Sequence, residues 1–228
     1  MEMLPLQLRS KLVSMGQQVD LEYENALHHE GKEMDHVYFP YSGFVSLVAS
    51  VDNHPAVKMT LIGKEGMLGA TLVAGISLAP LRAVVQSAGC ALQINTAAFQ
   101  RELLCSETLR QVVDKYLYLL LVQLSTTAAC KGFHAVRPRL ANRLLATHDR
   151  VETDSFHSTH QSLADMLGVR RSAVTIAAGL LQQENCISYS RGTITIVDRR
   201  ALEAASCSCY KLLIQKTMSA VPALKPAA

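Results

Sequence analysis

The chain has no tryptophan, and only 5% of its residues are aromatic. Surfaces that grip single-stranded nucleic acid stack successive bases on aromatic rings, so this scarcity argues against that mode of binding. No stretch approaches the ~20 consecutive apolar residues of a membrane-spanning helix. The first residues, Met1 to Pro5, show no basic segment followed by an apolar run, the pattern that directs export. Six cysteines are scattered at 90, 105, 130, 186, 207 and 209, without the dense spacing of a disulfide framework. Together these absences predict reduced thiols, a cytoplasmic chain and no membrane partner. Phosphate-loop glycines, paired carboxylates and a Ser–His–Asp arrangement are missing too, which removes the commonest enzyme signatures.

What is present is enough for a core. Of 228 residues, 49% are apolar and 18% charged, which suits one large domain or two small ones. The net charge of +3 hides an uneven distribution. Residues 1–130 hold nine Lys/Arg against twelve Asp/Glu, whereas residues 131–200 hold ten against six. A polyanion is therefore expected to meet the C-terminal half.

After a short amphipathic helix from Leu4 to about Met15, residues 19–95 read as β. Short apolar runs at 37–39, 44–48, 57–62, 81–85 and 90–94 are separated by Pro40, Gly43, Gly63 and Gly89, the pattern of a small antiparallel barrel or sandwich. From 106 to 131 apolar residues recur at three- and four-residue steps, with no Pro or Gly before Gly132, predicting a helix about 39 Å long. Leu119, Leu120, Leu121, Val122 and Leu124 cover most of its circumference. One face is expected on the barrel and the other on a second copy of the chain, making 106–131 a homodimer helix. A further helix should follow Pro138, with Leu140, Leu144 and Leu145 as its stripe. Residues 149–158 read as a polar connector, and 219–228 as a frayed tail.

The sharpest local signal is STHQSLADMLGVRRSAVTIAAGLLQQENCI, residues 158–187. Ser158 and Gln161 fit a capping box. Leu163, Ala164 and Leu167 form one stripe, Gly168 ends the helix, and Val169 plugs the corner to a second helix running from Arg170 to about Gln183. Val174, Ala177, Ala178 and Leu181 should face inward, with Arg171, Ser172, Thr175, Gly179 and Gln182 on the opposite side. Arginine paired bidentately with guanine, and a threonine hydroxyl or methyl, are chemistry suited to the major groove. Thr159, Gln161 and Arg170 complete the expected contacts near the helix starts. Residues 187–197 then alternate as a hairpin around Arg191-Gly192, a wing whose tip puts Arg191 within reach of phosphate.

In this order and spacing the chain resembles the Crp–Fnr superfamily of bacterial transcription regulators, over about Leu12 to Leu202. The resemblance is carried by HVYFPYSGFVSLVAS (36–50), IGKEGMLGATLVAG (62–75), the long helix, and LADMLGVRRSAVT through ITIVDRRAL (163–202). It implies an α+β chain: a β-roll sensor domain over 1–105, cyclic-nucleotide-binding-like in fold, a dimerisation helix and hinge over 106–135, and a winged helix–turn–helix over 136–228. It further implies a homodimer on a roughly palindromic double-stranded operator, with RNA polymerase as a candidate further partner.

Departures from the superfamily pattern shape the expectation. Cyclic-nucleotide-binding members carry Gly-Glu-Leu-small in a phosphate-binding turn, followed downstream by Arg and Ser or Thr. Here Gly66, Met67 and Leu68 stand in the turn, and Arg82 is followed by Ala83. A thioether cannot accept the ribose hydrogen bonds, and such a loss costs ~1–3 kcal/mol. These five residues mark the effector region without supporting cyclic-nucleotide binding in the usual way, and Arg82 is expected to pair with Glu65 or Glu102. No cysteine precedes Cys90, which disfavours the N-terminal iron–sulfur cluster of the oxygen-sensing members, and no residue matches a haem ligand. On the second helix, Ser172, Ile176 and Gly179 stand where Glu, Arg and Lys are common, predicting a different operator.

Two other classes compete. A small cupin-like metal enzyme needs a ligand triad inside the barrel, and His28-His29 point to opposite faces of a strand. A protein-interaction module would use the winged helix for docking. Cys207 and Cys209, two residues apart, suit neither a disulfide nor, alone, a zinc site, and Cys130 reads as packing. No metal and no cofactor are therefore expected.

Overall fold

The computed structural model describes residues 4–50, 52, 56–151 and 153–220. The chain forms two compact units, one mainly from residues up to Val48 together with Thr60–Val122, the other mainly from Gln123–Gln215.

The first unit opens with α1 (Leu6–Met15), then β1 (Gln17–Leu21), β2 (Ala26–His28), β3 (His36–Pro40), β4 (Phe44–Ala49) and β5 (Val57–Ile62). A 3-10 turn at Ala70–Ala74 leads to β6 (Arg82–Ser87), β7 (Gly89–Asn95), α2 (Thr96–Cys105) and the start of α3 (Glu107–Phe133). The strands make two sheets, ordered β1-β7-β3 and β2-β6-β4-β5. Central β7 pairs antiparallel with both neighbours, Leu92 standing opposite Gln18 on one side and Phe39 on the other. Both edges of β7 are thus hydrogen-bonded, and its Ala91, Leu92 and Ile94 are buried in the core of this unit. Phe39 meets Phe99 of α2 edge-on at 5.8 Å between ring centres.

α2 was not expected as a separate helix. Asn95 starts it, its side-chain oxygen accepting from the amides of Ala97 and Ala98. Its inner face carries Phe99 and Leu103, with Glu102 paired to Lys11 at 2.7 Å. Glu102 is thus engaged by Lys11 rather than Arg82, and Glu65 accepts from the Gly63 amide at 3.2 Å. Leu109, Val113, Tyr116 and Leu120 of α3 lie along one stripe and join this core.

His28 is buried on β2, and its Nε2 donates to the His36 carbonyl at 2.8 Å. Burial lowers its pKa below the ordinary 6.5, against the opposing influence of that hydrogen bond and of Asp35. In the unfolded chain His28 takes up a proton at higher pH than in the folded one. Stability should hold above pH 6.5 and fall as the pH drops below it. Melting curves between pH 7.5 and 5.5 check this. A slope that remains undiminished in His28→Gln would assign it to other groups.

The second unit holds the end of α3, α4 (Val136–His148), β8 (Ser155–His157), α5 (His160–Leu167), α6 (Arg171–Gln183), β9 (Ile187–Ser190), β10 (Thr193–Ile196), α7 (Arg199–Ala205) and α8 (Ser208–Ala220). Its core gathers Leu140, Leu144, Leu145, Leu163, Val174, Leu181, Ile194 and Leu202. α4 starts at Val136 rather than after Pro138. Proline lies in its first turn, where a missing N–H costs no intrahelical bond.

The wing differs from the expected hairpin. Three residues of the polar connector form β8, which pairs with β10 and makes a three-stranded sheet ordered β8-β10-β9. Phe156 supplies the reason, packing on the core while Ser155 and His157 face solvent. Ser219 and Ala220, expected in a tail, belong to α8, and residues 221–228 lie outside the described residues. Among the described residues no helix is long and apolar enough to cross a membrane.

Candidate nucleic-acid interface

Two helices meeting at a glycine build this face. Thr159 caps α5, its hydroxyl oxygen accepting from the Ser162 amide at 3.1 Å. The expected Ser158–Gln161 capping box is therefore corrected by one residue. Ser158 is buried with its amide on the Gly192 carbonyl, and Gln161 donates to Asp165 at 2.8 Å. Gly168 ends α5 at φ 64°, a left-handed conformation that L side chains resist, and the Val169 amide closes back on the Ala164 carbonyl at 3.1 Å. The buried Arg139 guanidinium of α4 donates to the Leu167 carbonyl, tying down the same corner.

On α6, Val174, Ala177, Ala178 and Leu181 are buried, while Arg171, Ser172, Thr175, Ile176 and Gly179 are exposed. The expected faces are reproduced, with one change of role. Gln182 accepts from the Tyr189 amide at 2.9 Å and so fastens β9 to α6. Arg191 and Gly192, at φ 49° and 83°, turn β9 into β10 and leave Arg191 exposed at the tip.

The Thr175 hydroxyl is already engaged. It donates to the Arg171 carbonyl at 3.1 Å and accepts from His160 Nδ1 at 3.0 Å. The His160 ring stacks on Tyr189, centroids 4.1 Å apart and planes 18° from parallel. Burial, then the nearby Arg171 charge, lowers the His160 pKa and so favours the neutral ring; because Thr175 gives its hydrogen to Arg171, Nδ1 is the donor between them. With its hydrogen given to the Arg171 carbonyl, the Thr175 hydroxyl cannot donate to a base, which leaves its methyl and one acceptor lone pair to face outward. His160 was missed because its partners lie 15 and 29 residues further along the chain.

The basic excess of this half divides into two groups. Arg137 pairs with Glu184, Arg143 reaches the Met166 sulfur, and Arg150 donates to the Ala146 carbonyl. Arg199 binds Asp149 at 2.7 Å and Glu203 at 3.1 Å, and donates to the Tyr210 hydroxyl at 2.8 Å. Among the described residues, the side chains of Arg170, Arg171, Arg191 and Arg200 make no hydrogen bond or ion pair, and all four are exposed.

In the first unit the effector region is packed. Met67 and Leu68 are 3% and 2% exposed, and Leu68 exchanges backbone hydrogen bonds with Tyr38. A Cβ on Gly66 would lie 2.3 Å from the Tyr116 hydroxyl oxygen. Ala83 is buried on β6, whereas Arg82 at the strand's start is exposed. One group among the described residues could hold a metal ion. It comprises Cys130, His134, Cys207 and Cys209, whose ligand atoms all lie within 4.8 Å of one another.

Helix–turn–helix and wing make up one unit, and the other is a β-rich unit of two sheets. Residues 138–205 match the model of the Crp-like helix-turn-helix domain. FixK2 from Bradyrhizobium japonicum is similar in structure, with a TM-score of 0.73 at 12% identity over 84% of this chain and 98% of that one. The c-di-GMP-responsive global regulator CLP of Xanthomonas campestris has a TM-score of 0.68 at 14% identity, covering 85% of this chain and 100% of that one. A CRP/FNR-family transcriptional regulator from Thermus thermophilus has a TM-score of 0.67 at 18% identity, covering 83% and 98%. No curated protein matches the sequence significantly. The resemblance to the Crp–Fnr superfamily thus holds: the chain has the fold of its transcription regulators and carries their helix-turn-helix domain.

Proposed function

We propose that the chain is a cytoplasmic, homodimeric, sequence-specific DNA-binding regulator that lays α6 in the major groove of a two-fold operator. The observation that carries this reading is the exposed α6 face, on which Arg171 is uncommitted beside Ser172 and the Thr175 methyl. Arg171 reads guanine, the Thr175 methyl meets a thymine methyl, and Ser172 offers a hydroxyl. Thr159, Gln161 and Arg170 at the helix starts, with Arg191 at the wing tip, position the phosphates. Buried Met67, with Ala83 after Arg82, supports a sensor unit that does not take a cyclic nucleotide in the usual way.

Dimerisation is supported by the outer face of α3. Asp114, Tyr118, Leu121, Ser125, Ala128 and Gly132 are all exposed and recur at alternating steps of four and three. That repeat forms a seam for a second helix, and its small residues permit close approach.

Gel-shift titrations on genomic fragments selected by the purified protein test the reading. Arg171→Ala should weaken the specific complex by ~1–3 kcal/mol, roughly 5- to 150-fold, and relax the preference at one base pair per half-site. Arg191→Ala should weaken all sequences alike and flatten the salt dependence. An Arg171→Ala footprint identical to wild type would overturn the recognition-helix assignment.

A further inference from the structure

We propose that Cys130, His134, Cys207 and Cys209 form a mononuclear metal site for a soft divalent ion of zinc type. This goes beyond the DNA-binding reading and does not depend on it. Cys130 Sγ lies 3.6 Å from Cys207 Sγ, and Cys209 Sγ lies 3.6 Å from His134 Nδ1. In a tetrahedral zinc site, with Zn–S ~2.3 Å and Zn–N ~2.0–2.1 Å, neighbouring ligand atoms stand ~3.5–3.8 Å apart. Two of the contacts already have that spacing, and the whole set fits within 4.8 Å. Three thiolates and an imidazole are an ordinary structural zinc set. An iron–sulfur cluster needs its ligands spread around several atoms, wider than the shell of one ion. A Cys130–Cys207 disulfide would leave His134 and Cys209 without a role.

The scaffold suits the chemistry. Cys130 and His134 are four residues apart at the end of α3, where the His134 amide bonds the Cys130 carbonyl at 3.1 Å. That spacing puts both on one face. Cys207 immediately precedes α8 and Cys209 lies in its first turn, where the helix's positive end favours a thiolate. Asn142 of α4 donates to Cys207 Sγ at 2.9 Å, the outer support that metal-bound thiolates receive. Cys130 and Cys207 are buried, His134 and Cys209 half-buried. Burial pushes the Cys130 and Cys209 thiols up, and at Cys130 the neighbouring thiols add to it. On binding, the three thiols release their protons to solvent and neutral His134 contributes a lone pair. The ion would fasten the segment after the wing to the end of α3, joining positions 77 residues apart.

The full-length chain, purified under reducing conditions without chelator, should carry about one zinc per chain by elemental analysis. Titrating Co²⁺ into the metal-stripped wild type should produce thiolate-to-cobalt charge-transfer absorption and the visible bands of a tetrahedral site. Cys207→Ser and Cys209→Ser should each lower the affinity at least ~10-fold, while Cys105→Ser, at an exposed cysteine outside the group, should leave it unchanged. The wild-type cobalt titration decides the matter even if a variant misfolds. Absence of charge-transfer bands would overturn the proposal. So would unchanged metal content in a folded Cys207→Ser/Cys209→Ser double variant, or a Cys130–Cys207 disulfide in the reduced-purified chain.

Discussion

Replacing Leu121 with glutamate is expected to yield a monomer whose affinity for a two-half-site operator falls ~10²–10⁴-fold, the loss that follows when two linked binding events become one. Leu121 is 60% exposed and sits on the outer seam of α3, away from the inward stripe of Leu109, Val113, Tyr116 and Leu120. The substitution therefore leaves the core of the first unit untouched. In a dimer it would bring carboxylates together across the seam, where like charges taken out of water repel and lack partners. Sedimentation velocity should show half the mass at micromolar concentration. Binding to an isolated half-site should change little, because α6 and the wing are unaltered. A stable Leu121→Glu dimer with wild-type operator affinity would place the subunit contact elsewhere.

The largest expected effect on stability belongs to Gly43→Ala, about 3 kcal/mol or more. Gly43 turns β3 into β4 at φ 70°, and an added Cβ would stand 2.4 Å from the Ser87 carbonyl oxygen and 2.7 Å from that of Ala88. Two penalties combine there. A non-glycine residue held in the left-handed region costs ~1–3 kcal/mol, and forcing atoms into packed space costs ~1–3 kcal/mol more. The obstacles are backbone atoms of the β6–β7 turn, which cannot swing aside as a side chain can. Gly75→Ala is the matched control, since its φ is 76° but nothing lies within 4 Å of its added Cβ. It should show the backbone penalty alone. Calorimetry of both variants separates the terms, and equal shifts in melting temperature would refute the clash.

Features whose cause is local could be read from the sequence. The corner at Gly168-Val169, the buried stripe of α6 and the long apolar period of α3 each arise within one or two helical turns. Other features failed for identifiable reasons. α2 follows β7 without a break, and its buried positions are Thr96, Phe99, Glu102 and Leu103, of which just two are apolar, too few to declare a period. Asn95 before Thr-Ala-Ala was the available signal, a cap directly ahead of good helix formers. β8 is three residues long, shorter than any alternation can reveal, and exists because β10 offers it an edge. The Ser158–Gln161 pattern marked the helix start to within one residue, but Thr159 alone does the capping and Gln161 turns to Asp165 instead. Charge misled in a subtler way. Four of the nine arginines between 131 and 200, Arg137, Arg139, Arg150 and Arg199, serve carboxylates or carbonyls within their own unit, which no count of charge could foresee. The Cys and His group was invisible for the same reason, because its halves are separated by the whole winged domain.

The engagement of Thr175 by His160 and the Arg171 carbonyl has a consequence for information. An outward face reduced to one guanidinium, one small hydroxyl and a methyl has a short vocabulary. It can spell few base pairs firmly, and many stretches of a genome will contain the same brief word. Reading that word twice, at a fixed distance and in mirrored order, multiplies its rarity where a longer word is not available. On the proposed reading, discrimination would rest on grammar, the spacing and symmetry of the half-sites, at least as much as on the letters each helix reads.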